Sequence, residues 1–173
     1  MISKHRANAQ GSDPSAFVGN VGYPSPFDEL TLALCQDAKR CVRIQSPLLD
    51  HQVFDNKALQ HTLSALARKS RHTWVHILIN DSTASRKRGH ALLELARRLS
   101  SSVSIKKLEH HPQWNGETVI ISDNKGVLYK PGDVDHEAFY QPDSAASAQR
   151  HADRFDEIWQ RAREDRELRQ MSI

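Results

Sequence analysis

Only two cysteines occur in 173 residues, Cys35 and Cys41. Their spacing of six matches no common zinc or redox motif, and one pair of thiols is no disulfide framework. Both read as small core residues. No apolar run approaches the ~20 residues that cross a bilayer. The opening "MISKHRANAQGSDPSAF" lacks the apolar core of a secretory signal, so a cytoplasmic location and no membrane partner are expected. Glycine-rich phosphate loops are also missing: there is no Gly-x-Gly-x-x-Gly, no P-loop and no Gly-x-Ser-x-Gly elbow. Ser46 precedes Pro47 at a strand end, which suits a strand-terminating polar residue. Ten histidines are present, yet none form an i, i+4 pair on a predicted helix or a finger-type Cys/His set. No metal and no cofactor are expected.

What is present suits one soluble α/β domain. Hydrophobic residues make up 38% and charged residues 26%, with a net charge of +3 and a pI near 9.0. That balance permits nucleic acid or another anionic partner without demanding one. Residues 1–25, rich in Gly, Ser, Pro and Asn, read as a flexible leader, and residues 26–173 as the domain.

Periodicity divides the domain. "SPFDELTLALCQDAKR" predicts a helix with Ser25 as its cap and Phe27, Leu30, Leu34 and Ala38 on one face. "CVRIQSPLL" predicts a strand ended by Pro47. "NKALQHTLSALARKS" predicts a second helix, and "TWVHILIND" a central strand covered on both sides. His76 on that strand is expected to be a hydrogen-bonded core residue. "ASRKRGHALLELARRLSS" predicts one long helix with a stripe of Leu92, Leu95, Ala96 and Leu99. "VSIKKLE" reads as a strand, "ETVIIS" and "GVLYK" as a hairpin, and "SAASAQRHADRFDEIWQRARED" as a final helix. The pair His110 and His111 is expected in solvent. The expected architecture is α/β, with a mixed, mostly parallel sheet, helices on both faces, and a C-terminal hairpin plus helix.

These phrases, in this order, resemble one repeat of the phospholipase D-like superfamily over residues 27–165. "RGHALLELARRL", the Asn-x-Glu ahead of the hairpin and the closing Phe-x-x-x-Trp are similar to an uncharacterised bacterial group of such domains. That group resembles regions lying beside an acetyltransferase domain, for which this chain has no room. Active members carry His-x-Lys-x4-Asp. His and Lys at i and i+2 share one face of a strand, so both reach one phosphate. The His attacks phosphorus, the Lys stabilises the charged oxygens, and the Asp orients an imidazole. Two repeats face each other in the active superfamily.

On this chain the resemblance places Asn115 at the His position, Glu117 at the Lys position and Ser122 at the Asp position, with Asp123 one residue late. Asn115 has no nucleophilic imidazole. Glu117 sets a negative charge where a phosphate would lie, and like charges in a dry cleft repel by several kcal/mol. The resemblance therefore implies a fold without catalysis, a binding or interaction module. Its ligand, a protein or a small molecule, would lie near Ser46, Asn80, Asp81, Asn115 and Glu117. A phosphodiesterase or nuclease with a non-standard site is one alternative. A nucleic-acid binder is another. "ARKSRH" ends a helix, where cations suit the dipole. "ASRKRGH" is expected to open one, where they do not. Arg86, Lys87, Arg88 and His90 are accordingly candidates for an anion or nucleic-acid contact. Asp165 and Arg169 stand at a favourable i, i+4 spacing in the last helix, and a homodimer would rebuild the two-repeat arrangement.

Overall fold

The computed structural model describes residues 17–133 and 137–169, and only the backbone of Arg169. The first sixteen residues of the expected leader lie outside that range. Its described remainder is tied down. Val18 exchanges two backbone hydrogen bonds with Tyr140, and the Val21 N–H donates to Ala138 O. The Phe17 ring stacks on Phe139 at 5.4 Å. Val18 and Val21 thus border the sheet at β6.

The elements run α1 (Phe27–Gln36), β1 (Cys41–Gln45), α2 (His51–Phe54), α3 (Lys57–Lys69), β2 (Trp74–Ile79), α4 (Thr83–Arg88), α5 (Ala91–Arg98) and β3 (Val103–Lys107). They continue with β4 (Thr118–Ser122), β5 (Gly126–Lys130), β6 (Phe139–Gln141), α6 (Ala145–Arg161) and α7 (Arg166–Arg169). The strand order is β3-β2-β1-β4-β5-β6. Helical crossovers make β1, β2 and β3 parallel, while β4 pairs antiparallel with β1, and β5 and β6 follow antiparallel. The sheet is mixed as expected. The hairpin, however, lies inside it, because the short β6 takes the edge, and parallel pairing is confined to β1–β3.

Alternation explains the two cores. Val42, Ile44, Val75, Ile77, Ile120 and Leu128 point to one face and pack with Phe27, Leu34, Leu59, Leu63 and Leu92 from α1, α3 and α5. Leu78, Val119, Ile121 and Val127 point to the other and meet Ala152, Phe155 and Ile158 of α6. Fully burying a side chain such as Phe155 stabilises the fold by roughly 1.5–3 kcal/mol. α6 packs mainly on β1, β4 and β5, and its Trp159 reaches His76 on β2. Over β2, Trp74 and His76 stay half-buried, so that face is less covered than the sequence suggested. His76 is held by stacking, with ring centroids 4.0 Å from Trp74 and 4.3 Å from Trp159. Burial first, then the nearby Arg43 charge, lowers its pKa to about 4.

Several boundaries differ from expectation for local reasons. Pro26, not Ser25, occupies the N-cap of α1 and makes no side-chain cap; Asp28 and Glu29 in the first turn suit the helix dipole instead. The long helix predicted from Ala84 is two helices. Gly89 breaks it at φ 77°, a conformation that favours glycine. His90 then caps α5 by accepting the Leu92 N–H. The last helix stops at Arg161, after which Arg163 and Lys107 exchange two backbone hydrogen bonds at the end of β3. Asp165 consequently meets Lys107 and Ser82. His111 is buried, its Nδ1 accepting the Gln113 N–H, whereas His110 is exposed.

Candidate functional site

Because β4 runs against β1, its first and last residues lie at opposite ends of the sheet. Val119 pairs with Gln45 and Ser122 with Val42. Asn115 and Glu117 therefore sit at the carboxyl end of β1, and Ser122 and Asp123 at its amino end, with Glu117 and Ser122 about 16 Å apart by strand rise. The four motif-derived positions do not form one cluster.

At the carboxyl end, polar groups are satisfied within the protein. Glu117 is half-buried, and its Oε1 accepts the Asn115 N–H at 2.6 Å. The Trp114 indole N–H donates to Glu117 O at 2.9 Å. Among the described residues this carboxylate has no arginine or lysine ion-pair partner; it closes its own turn. Its charge is still felt, since the Tyr129 hydroxyl's pKa is raised by burial and then by Glu117. The turn is clamped from outside by the backbone at Gly132, where a Cβ would fall 2.0 Å from Asn115 O. Ser46 is buried and its Oγ accepts the Leu49 N–H. Asn80 donates to Leu108 O, and the exposed Asp81 accepts from the Thr83 N–H and hydroxyl. Those bonds hold Asp81 below the usual carboxylate range.

The imidazoles and amine near this end are committed as well. His51 Nε2 donates to Gly89 O at 3.1 Å and His90 Nε2 to Leu49 O at 3.0 Å, their rings 5.0 Å apart. The Tyr23 hydroxyl donates to Asp50. Lys130 Nζ lies 4.8 Å over the Tyr23 ring and donates to Pro131 O. Each of these groups is thus already engaged by a neighbour within the protein.

The basic segment after β2 needs reinterpretation. Arg86, Lys87 and Arg88 occupy the last turn of α4, where cations are favourable, so the argument from an unfavourable helix start does not apply. Arg86 donates to Ser82 Oγ at 3.1 Å and lies 3.4 Å from Glu167. Lys87 and Arg88 are exposed. His90 is only 1% exposed with both ring nitrogens bonded, and burial lowers its pKa to about 4. It is a structural pin, not an anion contact.

The amino end differs. Asp123, at φ 54°, accepts the backbone N–H groups of Lys39, Arg40 and Cys41 at 2.8–3.0 Å. This ties the β4–β5 turn to the start of β1. Around it opens a groove of about 1030 Å³ lined by Lys39, Arg40, Arg43, Lys69, His72 and Lys125 among others. Apart from Arg43 on β1, these cations come from three separate turns, so residue spacing could not reveal their convergence.

The fold defines a class, the phospholipase D-like α/β fold. Nuc from Salmonella typhimurium, a phospholipase D family member, superposes with a TM-score of 0.58 at 22% identity, covering 87% of this chain and 99% of its own. NucT from Helicobacter pylori gives 0.55 at 12% identity over 87% of this chain and 100% of that one. TrmBL2, an archaeal chromatin protein whose structure shows a novel mode of DNA binding, gives 0.65 at 13% identity over 91% of this chain. This chain spans 56% of TrmBL2's length. At these identities the likeness is one of fold. No curated protein matches the chain in sequence. Within the class, residues 23–171 match the family described as Domain of unknown function (DUF7931), and the chain belongs to that family. Among the described residues, no helix is long and apolar enough to cross a membrane.

Proposed function

We propose that this is a catalytically inactive phospholipase D-like domain serving as a binding or interaction module in the cytoplasm. The observation that carries the reading is Glu117. Its carboxylate stands where a phosphate-cleaving site needs an ammonium group, and it is bonded to the neighbouring Asn115 N–H at 2.6 Å. A substrate phosphate there would meet a like charge. Asn115 supplies no imidazole for a covalent phosphohistidine. The resemblance to regions found beside acetyltransferase domains supports a module that works next to an enzyme. A second copy, which would rebuild the two-repeat arrangement, is the proposed oligomeric partner.

The rival reading is a phosphodiesterase or nuclease with another arrangement, and the Nuc and NucT folds are compatible with it. Turnover of a chromogenic phosphodiester decides between them. The proposed module gives no rate above buffer, and Asn115→Ala and Glu117→Ala leave that result unchanged. A rate that disappears with either substitution assigns the chemistry to these residues and overturns the proposal.

A further inference from the structure

We propose that the groove at the amino end of β1 and β2 binds the phosphate backbone of duplex nucleic acid, a site separate from Asn115 and Glu117. Three turns converge there: Lys39 and Arg40 before β1, Lys69 at the end of α3 before β2, and Lys125 between β4 and β5. The lining holds one carboxylate, Asp123, and each of its oxygens already accepts backbone N–H groups. Arg43 is paired with Asp156 at 2.9 Å and Lys125 with Asp37 at 3.2 Å. Lys39, Arg40 and Lys69 are exposed and enter no ion pair among the described residues.

A helix terminus explains Lys69 by itself. It does not explain why two turns direct the unpaired cations Lys39, Arg40 and Lys69 into one concavity beside Lys125 of a third, where they repel one another. A bound polyanion removes that cost. Its size follows from the sheet. The three turns stand over β2, β1 and the β4–β5 junction, and neighbouring strands lie about 4.8 Å apart. The row therefore extends over roughly 10–15 Å, too long for one phosphate and suited to successive phosphates of a chain.

The aromatic groups decide which chain. Trp74 lines the groove, but Arg43 lies 5.0 Å over its ring and His76 stacks at 4.0 Å. His76 is in turn stacked on Trp159, whose ring also carries Lys106 at 4.6 Å. Trp74 is thus already engaged by Arg43 and His76, which disfavours stacking-type recognition of single strands. Backbone contact with a duplex, which keeps its bases inside and its phosphates out, matches the chemistry. Such contact carries little sequence preference.

The test is fluorescence anisotropy of a labelled DNA duplex of two helical turns with the full chain, across a salt series. Binding should weaken with salt, with similar affinities for two unrelated sequences. The triple variant Lys39→Gln, Arg40→Gln, Lys69→Gln should lose affinity about tenfold or more and lower the salt slope by about 2–3, near 0.9 per contact removed. Its melting temperature should match wild type, since all three side chains are exposed. The charge-retaining pair Lys39→Arg, Lys69→Arg should keep binding. The control triple Arg86→Gln, Lys87→Gln, Arg88→Gln should bind as wild type does. Absence of salt-dependent duplex binding overturns the proposal, as does equal binding by the groove variant, or binding of inorganic tripolyphosphate alone. Phosphodiester turnover is a separate readout, so a failure here and a failure of the inactive-module reading are told apart.

Discussion

The two ends of the sheet solve the same problem in opposite ways. At the carboxyl end, the polar groups described are bonded to one another: Glu117 to Asn115, His90 to Leu49, Tyr23 to Asp50. At the amino end, one carboxylate organises the backbone, and the cations around it are left without ion pairs at Lys39, Arg40 and Lys69. In this chain the polar groups named at the carboxyl end are bonded internally, and the unpaired cations lie at the other end. The difference shows that fold alone does not locate a site; the state of the side chains does.

Acid should produce the largest effect, and at the closed end. The folded pKa of His90, about 4, lies below the ordinary histidine value of 6.5. A lowered base means that the unfolded chain binds more protons, so stability is full above pH 6.5 and is lost as pH falls toward 4. For the buried His90 alone this amounts to about 3 kcal/mol at pH 4. His76 adds less because it is half-buried. Urea unfolding at stepped pH values measures this, and His90→Asn, which keeps a capping oxygen, should flatten the dependence. A slope unaltered by that substitution would separate the pin from the acid response.

Next in size, Asp123→Ala removes the acceptor of three backbone N–H groups and also places alanine at φ 54°. The expected loss is about 3 kcal/mol in urea unfolding, with Asn less damaging because it tolerates that φ. Gly132→Ala probes the other end, where its Cβ would collide with Asn115 O. About 1–3 kcal/mol of destabilisation is expected there. The smallest change is Glu117→Gln. It keeps an oxygen for the Asn115 N–H, so stability should shift by less than about 1 kcal/mol. A larger loss would mean that the Glu117 charge itself holds the turn, sharpening its structural role.

Much of the fold was readable because its elements alternate or repeat. Val42 and Ile44, Val75 and Ile77, and Leu92 and Leu95 fall on the faces their spacing assigned. Unreadable elements were short or lacked contrast. β6 is three half-buried residues, Phe139–Gln141, with no alternation to detect. α2 is four residues long, its existence fixed by tertiary packing of Val53 and Phe54. The break at Gly89 left a trace, a glycine inside a helical pattern, but the apolar stripe that follows outweighed it. The candidate site was half legible. The substitution at Glu117 needs only the chain and the resemblance. The amino-end groove needs the parallel pairing of β1 with β2 and the hairpin beside them, which bring positions 39, 69 and 125 together.

The central claim is that anion affinity resides at the amino end of β1 and not at the carboxyl end around Asn115 and Glu117. Amide chemical-shift mapping with a short DNA duplex addresses both halves at once. The account predicts shifts at Lys39–Cys41, Ser70–Thr73 and Asn124–Lys125, with Asn115–Thr118 unmoved. Shifts centred on Asn115–Thr118, with the three amino-end turns silent, would contradict it.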